Sequence, residues 1–294
     1  MNKVMPERAL HVSLITTVYN EGASILDFLQ SYLAQTRHAN EFVIVDGGSR
    51  DDTARFITTF AERNPHLNIR LLVDETCSRK HSVGPIAKGR NVAISHVHND
   101  LIAVTDAGCR LESMWLEEIV RPFSEQEADV VAGWYEPVLG SAFQKAYSRL
   151  YLPTLESIDR ENFLPSSRSI AFRKEAWARV GGYPEDTYTA EDTMFDIKLR
   201  EAGFRFYFAE KAVVFWNCPS TLDEATKKHY NYGYGDGQYG FFKKNYLTML
   251  FSLLFPYKYF LKPHYKGARK MAYLINLSLV RGYLKGMLAG AGNK

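Results

Sequence analysis

The stretch Phe42–Thr53, FVIVDGGSRDDT, constrains this chain most. Phe42, Val43, Ile44 and Val45 form a short, uninterrupted apolar run with two valines and an isoleucine, the composition of a buried strand. Asp46, Gly47 and Gly48 stop it, and Ser49, Asp51 and Asp52 open a polar-to-helical pattern, so the segment reads as strand, sharp turn and helix start. In open α/β sheets ligands gather at the carboxyl edge of the strands, which puts Asp46 and Gly48 where a ligand can be touched. The same residues also suit a local role, with Asp46 making the turn and Ser49 with Asp52 forming a Ser-x-x-Asp helix cap.

Similar units flank this stretch. Leu10–Val18 reads as a strand ending in Tyr19-Asn20-Glu21-Gly22, followed by an amphipathic segment over Ser24–Gln35. A helix over Asp51–Arg63, a strand over Ile69–Val73, a polar loop over Asp74–Gly84 and a helix over Pro85–Ser95 come next. Leu101–Thr105 is a further strand that stops at Asp106-Ala107-Gly108. This alternation predicts a largely parallel, helix-covered sheet. Right-handed crossovers bring the strand ends to one rim, so Asp46, Asp106 and the Tyr19–Gly22 loop share a crevice. Lys88, Arg90 and Asn91 supply cationic and amide donors suited to a diphosphate, unless they form a solvated helix face.

The second half reads as a strand over Asp129–Trp134, an irregular aromatic insertion over Tyr135–Ser167, a strand over Ser169–Arg173 and a helix over Glu175–Val180. Trp134, Tyr147 and Tyr151 suit either a core or a sugar-stacking surface. Thr189-Ala190-Glu191-Asp192 starts a helix through Ala202 in a capping-box pattern, and a carboxylate there is kept ionised by the helix dipole, as a general base requires. Strands over Phe204–Ala209 and Ala212–Trp216 precede a helix over Leu222–Tyr232, which runs into the glycine-rich Gly233–Gly240.

Composition narrows the class. The three cysteines, Cys77, Cys109 and Cys218, form no C-x-x-C pair, so neither a disulfide framework nor a zinc site is indicated, and a reducing compartment fits. The first residues carry no apolar leader pattern. Tyr19-Asn20-Glu21-Gly22 lacks the G-x-G-x-x-G turn of nicotinamide-dependent dehydrogenases. The net charge of +3 is uneven, because Gly237–Lys294 holds ten Lys and Arg and no Asp or Glu. That tail is also aromatic and aliphatic, with Pro256 and Lys258 interrupting its apolar run below spanning length. A basic, amphipathic helical tail over 221–294 lying on an anionic membrane surface is the first reading, ahead of a core-packing tail or a nucleic-acid patch.

Taken in order, VYNEG at Val18–Gly22, VDGGSRDDT at Val45–Thr53, KGRN at Lys88–Asn91, TDAG at Thr105–Gly108, GGYPE at Gly181–Glu185 and AED at Ala190–Asp192 resemble the family 2 glycosyltransferases. The likeness spans about Leu10 to Tyr239, and KHYNYGYGDG at Lys228–Gly237 is similar to a run found in polysaccharide-assembling members. It implies a GT-A fold over 1–220, a Rossmann-like α/β/α sandwich with a mostly parallel mixed sheet. Residues 1–110 would form its nucleotide-sugar half and 111–220 its acceptor half. It also implies inverting transfer from a nucleotide-sugar, UDP-sugars being the commonest donors, and the charge and apolarity of the tail add the expectation of a glycan or lipid-linked hydroxyl acceptor at the cytoplasmic face of a membrane.

In this resemblance Asp192 takes the base role and Glu191 orients it. Thr17, Tyr19, Glu21, Asp46, Gly48, Thr105 and Asp106 surround the donor, with Lys88, Arg90 and Asn91 on its diphosphate. The family's Asp-x-Asp, whose last acid binds Mg²⁺ or Mn²⁺, is here Asp106-Ala107-Gly108. With the second carboxylate missing, either Asp106 holds a weaker metal site, the reading preferred on sequence, or cations such as Lys88, Arg90 and Arg110 carry the leaving-group charge. A non-catalytic nucleotide-sugar-binding scaffold at the membrane is the alternative.

Overall fold

The computed structural model describes residues 10–291, so the leader-free reading of the first nine residues and the last three residues of the basic tail lie outside it. In chain order the elements are β1 (Val12–Val18), α1 (Ile25–Leu33), β2 (Glu41–Asp46), α2 (Thr53–Arg63), β3 (Ile69–Val73), α3 (Pro85–Ser95), β4 (Leu101–Val104), β5 (Cys109–Leu111), α4 (Trp115–Val120), α5 (Pro122–Glu125), β6 (Val130–Pro137) and α6 (Ala142–Tyr151). They continue with β7 (Ile170–Arg173), α7 (Lys174–Arg179), α8 (Glu191–Glu201), β8 (Phe206–Trp216), α9 (Leu222–Tyr239), α10 (Lys243–Leu254), α11 (Tyr257–Leu261) and α12 (Arg269–Ala291).

One eight-stranded sheet has the order β3-β2-β1-β4-β7-β6-β8-β5. The pairs β3–β2, β2–β1, β1–β4 and β6–β8 are parallel, and the rest are antiparallel. Strands buried on both faces explain the runs without polar alternation, since every residue of β2 and of β4 is buried. Leu14, Phe42 and Ile44 pack on one face with Phe28, Ile57 and Trp115, whereas Ile15, Val43 and Val45 pack on the other with Ala87, Phe195 and Leu199. Each such side chain contributes about 1.5–3 kcal/mol of transfer free energy, which makes this two-sided burial the main source of stability.

Three local readings change. The expected strands over 204–209 and 212–216 are one strand, β8, whose polar Glu210-Lys211 pair is exposed where its register against β6 shifts. The aromatic insertion contains a regular helix, α6, with Ser141 Oγ capping Gln144 N. The helix over Leu222–Tyr232 runs on to Tyr239 through the glycine-rich segment. Those glycines set a close approach to α12. A methyl group on Gly233 or Gly237 would lie 2.0 or 2.2 Å from the carbonyl oxygens of Leu279 and Tyr283, and one on Gly282 or Gly286 would lie 2.0 or 2.1 Å from those of Tyr230 and Tyr234. The contacts advance together along both helices, so α9 and α12 run parallel with backbone nearly touching backbone.

Candidate active site

The carboxyl edges of β1, β2 and β4 meet at a cavity of 620 Å³ lined by Thr17, Tyr19, Glu21, Gly47 and Asp106. The loop after β3 adds Cys77, Ser78 and Arg79 to its wall, and the Arg79 guanidinium stacks on Tyr188 at 3.8 Å. A second cavity of 770 Å³ shares Asp106, Arg168, Tyr188 and Lys228 with the first and extends past Glu191, Asp192, Tyr232 and Asp236. The crossover geometry thus brings the Tyr19–Gly22 loop, the turn after β2 and Asp106 to one rim.

Asp46 is buried at the end of β2. Its Oδ1 accepts hydrogen bonds from the backbone N–H and the hydroxyl of Ser49, at 2.8 and 2.7 Å, while its buried Oδ2 has no partner. Ser49 therefore serves Asp46 rather than capping α2, whose N-cap, Asp52, makes no side-chain capping bond. An unpaired buried carboxylate oxygen is costly unless something outside the fold donates to it. Gly48, with φ +86°, turns the backbone away against Glu75, and its neighbour Gly47 is the residue that faces the cavity. The buried Thr105 hydroxyl also lacks a partner.

Asp106 sits between cations. Arg90 is buried and bridges two acids, reaching Asp106 Oδ1 through Nη2 at 2.9 Å and Glu191 Oε1 through Nη1 at 2.8 Å. Arg168 Nε lies 3.9 Å from the other oxygen of Asp106. Burial opposes ionisation of Asp106, but Arg90 and Arg168 outweigh it and hold its pKa below the usual carboxylate range. Glu21 moves the other way, raised chiefly by burial, with Asp106 adding to the effect. Glu191 is also raised, by burial and then by the adjacent Asp192, because the Arg90 charge is shared with Asp106.

Asp192 opens α8 and faces the second cavity. The capping-box reading of Thr189–Asp192 does not hold, since the N-cap is Ala190 in a left-handed conformation and the Thr189 hydroxyl donates to the Asn231 carbonyl. Asp192 Oδ1 accepts only from the Thr193 backbone N–H, at 2.9 Å. Asp236, on α9, lines the same cavity, accepts from the Tyr246 hydroxyl at 2.6 Å and is pushed up to about 6 by burial.

Two expected diphosphate contacts lie elsewhere. Asn91 donates to the Tyr183 carbonyl and to Glu185 Oε1, and its amide oxygen accepts from Trp177 Nε1 and Tyr183 N. All its hydrogen-bonding capacity is thus taken up by the Gly181–Glu185 turn and by Trp177 of α7. The partly buried Lys88 lines neither cavity; its charge acts on Asp74 and Cys77 instead. Arg110 stacks on Phe215 at 4.2 Å and lines an adjoining groove that shares Glu21, Ala107, Gly108 and Trp216 with the first cavity. Trp134 and Tyr147 are core residues, whereas Tyr151 lines the second cavity.

Arg168 and Lys228 face the crevice together with Arg79 and Lys227, and the local sequence does not mark either of the first two as a site residue. Arg168 follows the irregular insertion, with nothing local to mark it. Lys228 opens the KHYNYGYGDG run and is read there only as part of a likeness. The residues around Asp106 do not fit a divalent cation. Both carboxylate oxygens face guanidinium groups, and no three His, Cys, Asp or Glu side chains converge among the described residues. The expectation of a metal at Asp106 rests on that one carboxylate, which Arg90 and Arg168 already engage.

Comparison with known proteins agrees with this architecture. The model of Glycosyl transferase family 2 matches residues 13–183, and that of Glycosyl transferase family group 2 matches residues 101–285. The chain is 26% identical over 247 residues to glycosyltransferase AglE of Haloferax volcanii, covering 82% of this chain and 78% of that protein. It is 21% identical over 236 residues to the O-antigen chain rhamnosyltransferase RfbN of Salmonella typhimurium, covering 76% and 72%. The structure of mannosyltransferase PcManGT from Pyrobaculum calidifontis, in complex with GDP-Man and Mn²⁺, superposes with a TM-score of 0.59 at 20% identity, covering 99% of this chain and 79% of that one. The fold is GT-A, and this chain belongs to the family 2 glycosyltransferases.

Proposed function

We propose that the protein moves a sugar from a nucleoside-diphosphate donor to a hydroxyl of a glycan or lipid-linked acceptor, with inversion at the anomeric carbon. One observation carries the reading: a free carboxylate, Asp192, lines a cavity that joins a cationic crevice at Asp106, Arg168 and Lys228. An inverting displacement needs a base on one side of the sugar and positive charge on the other. Asp192 accepts the proton of the acceptor hydroxyl as its oxygen bonds to the anomeric carbon. The carbon–oxygen bond to the diphosphate breaks, and its electron pair stays on the phosphate oxygen. Glu191, held by Arg90, keeps the start of α8 oriented.

On the donor side, the unpaired Oδ2 of Asp46 suits a donor N–H of the nucleotide base. UDP-sugars are the first donors to try, being the commonest in this family. RfbN, an O-antigen chain rhamnosyltransferase, supports a glycan acceptor. A lipid-linked acceptor suits the face formed by α10 and α11, where Phe251, Leu254, Phe255, Phe260 and Leu261 are all more than half exposed. Lys243, Lys244, Lys262 and Lys266 are exposed beside them, the chemistry of a helix pair lying on an anionic membrane at its inner face. No helix among the described residues is long and apolar enough to cross one.

The test is Asp192→Asn. Transfer is expected to fall by at least about 100-fold, the usual share of a general base, while nucleoside-diphosphate affinity stays within about twofold. Loss of binding and transfer together would assign Asp192 a structural role and overturn the reading. Nucleotide binding without turnover in the wild type would point to a scaffold.

A further inference from the structure

We infer that Arg168 and Lys228 together take the place of the divalent cation and hold the donor diphosphate, so that this enzyme transfers sugar without a metal. The inference rests on the transferase reading above. Arg168 is fixed from several sides. Its Nη1 donates to Ser166 Oγ at 2.7 Å and its Nη2 to the Tyr232 hydroxyl at 3.3 Å, while its guanidinium lies over Trp216 at 4.4 Å and Tyr135 at 5.3 Å. Its Nε is buried without a hydrogen-bond acceptor, 3.9 Å from Asp106 Oδ2.

The ammonium of Lys228 lies 4.2 Å from the centre of the same Trp216 ring, and it makes no ion pair or side-chain hydrogen bond among the described residues. Two cations thus share one aromatic ring at the junction of the two cavities, with only part of one carboxylate to balance them. Like charges held this close are unfavourable until an anion joins them. Burial and the neighbouring Arg168 push the Lys228 ammonium down to about 8, which reports the same unbalanced charge. A diphosphate, with oxygens that accept bidentate guanidinium and point-charge ammonium contacts, matches this pair. As the anomeric carbon–oxygen bond breaks, the charge that stays on the phosphate develops beside Arg168 and Lys228. Arg90 is not part of this pair, because its charge is already met by two carboxylates, Asp106 and Glu191. Asp106, engaged by guanidinium groups, is left to fix them rather than to ligate an ion.

Calorimetric titration of the full chain with UDP, GDP and dTDP, each with excess EDTA or with Mn²⁺, tests this. One nucleoside diphosphate is expected to bind equally, within about twofold, in both conditions. Arg168→Gln and Lys228→Gln should each weaken it about 10- to 100-fold, the worth of one charge-assisted bond, while leaving the affinity for the phosphate-free nucleoside unchanged. A merely structural role would lower both affinities. Arg168→Lys should recover part of the loss, and if Arg168→Gln does not fold, Lys228→Gln carries the comparison. Binding that requires Mn²⁺, or that survives both substitutions, overturns the metal-free site but leaves the transferase reading intact. Failure of every nucleoside diphosphate to bind overturns both.

Discussion

Replacing Gly282 by alanine drives a methyl group into the seam between α9 and α12, where it would stand 2.0 Å from the Tyr230 carbonyl oxygen. Ordinary contact begins near 3.4 Å, so the helices must part locally by about 1.4 Å. Gly233, Gly237 and Gly286 lie in the same seam and lose their contacts as it opens, since a gap of about 0.5–1 Å forfeits a quarter to a half of each dispersion well. Overpacking of this kind costs about 1–3 kcal/mol. Alanine recovers about 0.5–1 kcal/mol through its better helix propensity, leaving a net loss of about 0.5–2 kcal/mol. The shift also reaches the site. α9 carries Lys228, Tyr232 and Asp236 into the second cavity, and at Gly235 on the same helix an added methyl would lie 2.4 Å from the Thr189 carbonyl oxygen. A misplacement of about 1 Å at a reacting centre can cost about 100-fold. Urea unfolding and steady-state transfer, measured on Gly282→Ala and on Gly290→Ala, whose methyl would lie 2.6 Å from the nearest carbonyl, are the assays. The first variant should lose more stability and more kcat/KM than the second. If Gly282→Ala proves as stable as wild type, or more so, the seam is not the close contact described.

Two further outcomes follow from other regions. Asp196 is fully buried with both carboxylate oxygens unpartnered, and burial, then the nearby Asp192, holds its pKa well above the ordinary value. The folded chain then keeps a proton that the unfolded chain has released, so stability falls as pH rises above the unfolded pKa. Relative to Asp196→Asn, the wild type should lose up to about 1.4 kcal/mol per pH unit above about pH 4, and a difference that stays flat from pH 4 to 8 would contradict this. For the α10–α11 face, sedimentation with phosphatidylglycerol vesicles should pellet the wild type in a salt-sensitive way. Substituting Phe251, Phe255 and Phe260 together by serine should weaken that at least about 100-fold, since each phenylalanine buried in the interface is worth about 1.5–3 kcal/mol. Equal binding to neutral phosphatidylcholine would refute an anionic surface.

The buried strands were legible because a strand covered on both faces must be apolar throughout, and Phe42–Val45 and Leu101–Val104 have no other reason to be so. The acids that end such strands were legible for the same reason: Asp106 stops its run at the cavity, and Asp46 stops β2 beside Gly47, which lines it. What escaped depends on long-range packing. Glycines in a row normally argue against a helix, and only the presence of α12, some fifty residues later, turns Gly233, Gly235 and Gly237 into contact surfaces. Glu210-Lys211 looks like a break because the exposed shift in β8 cannot be told from a turn by composition. Asn91 follows two basic residues and reads as a ligand contact, yet its neighbours in space are nearly a hundred positions away. Arg168 and Lys228 meet over Trp216 through three separate segments, and nothing in the local sequence of any one of them signals the encounter.

The central claim is that Asp192 and the cationic crevice perform a single displacement at an anomeric carbon. The most direct measurement is the anomeric configuration of the transferred sugar. Isotopically labelled donors with α-linked UDP, GDP or dTDP are incubated with lipid-linked acceptors, and the product is read by the one-bond carbon–proton coupling of its anomeric centre. A β linkage is expected from one of these donors, and no transfer when Asp192 is replaced by asparagine. An α linkage, or transfer undiminished in Asp192→Asn, would contradict it.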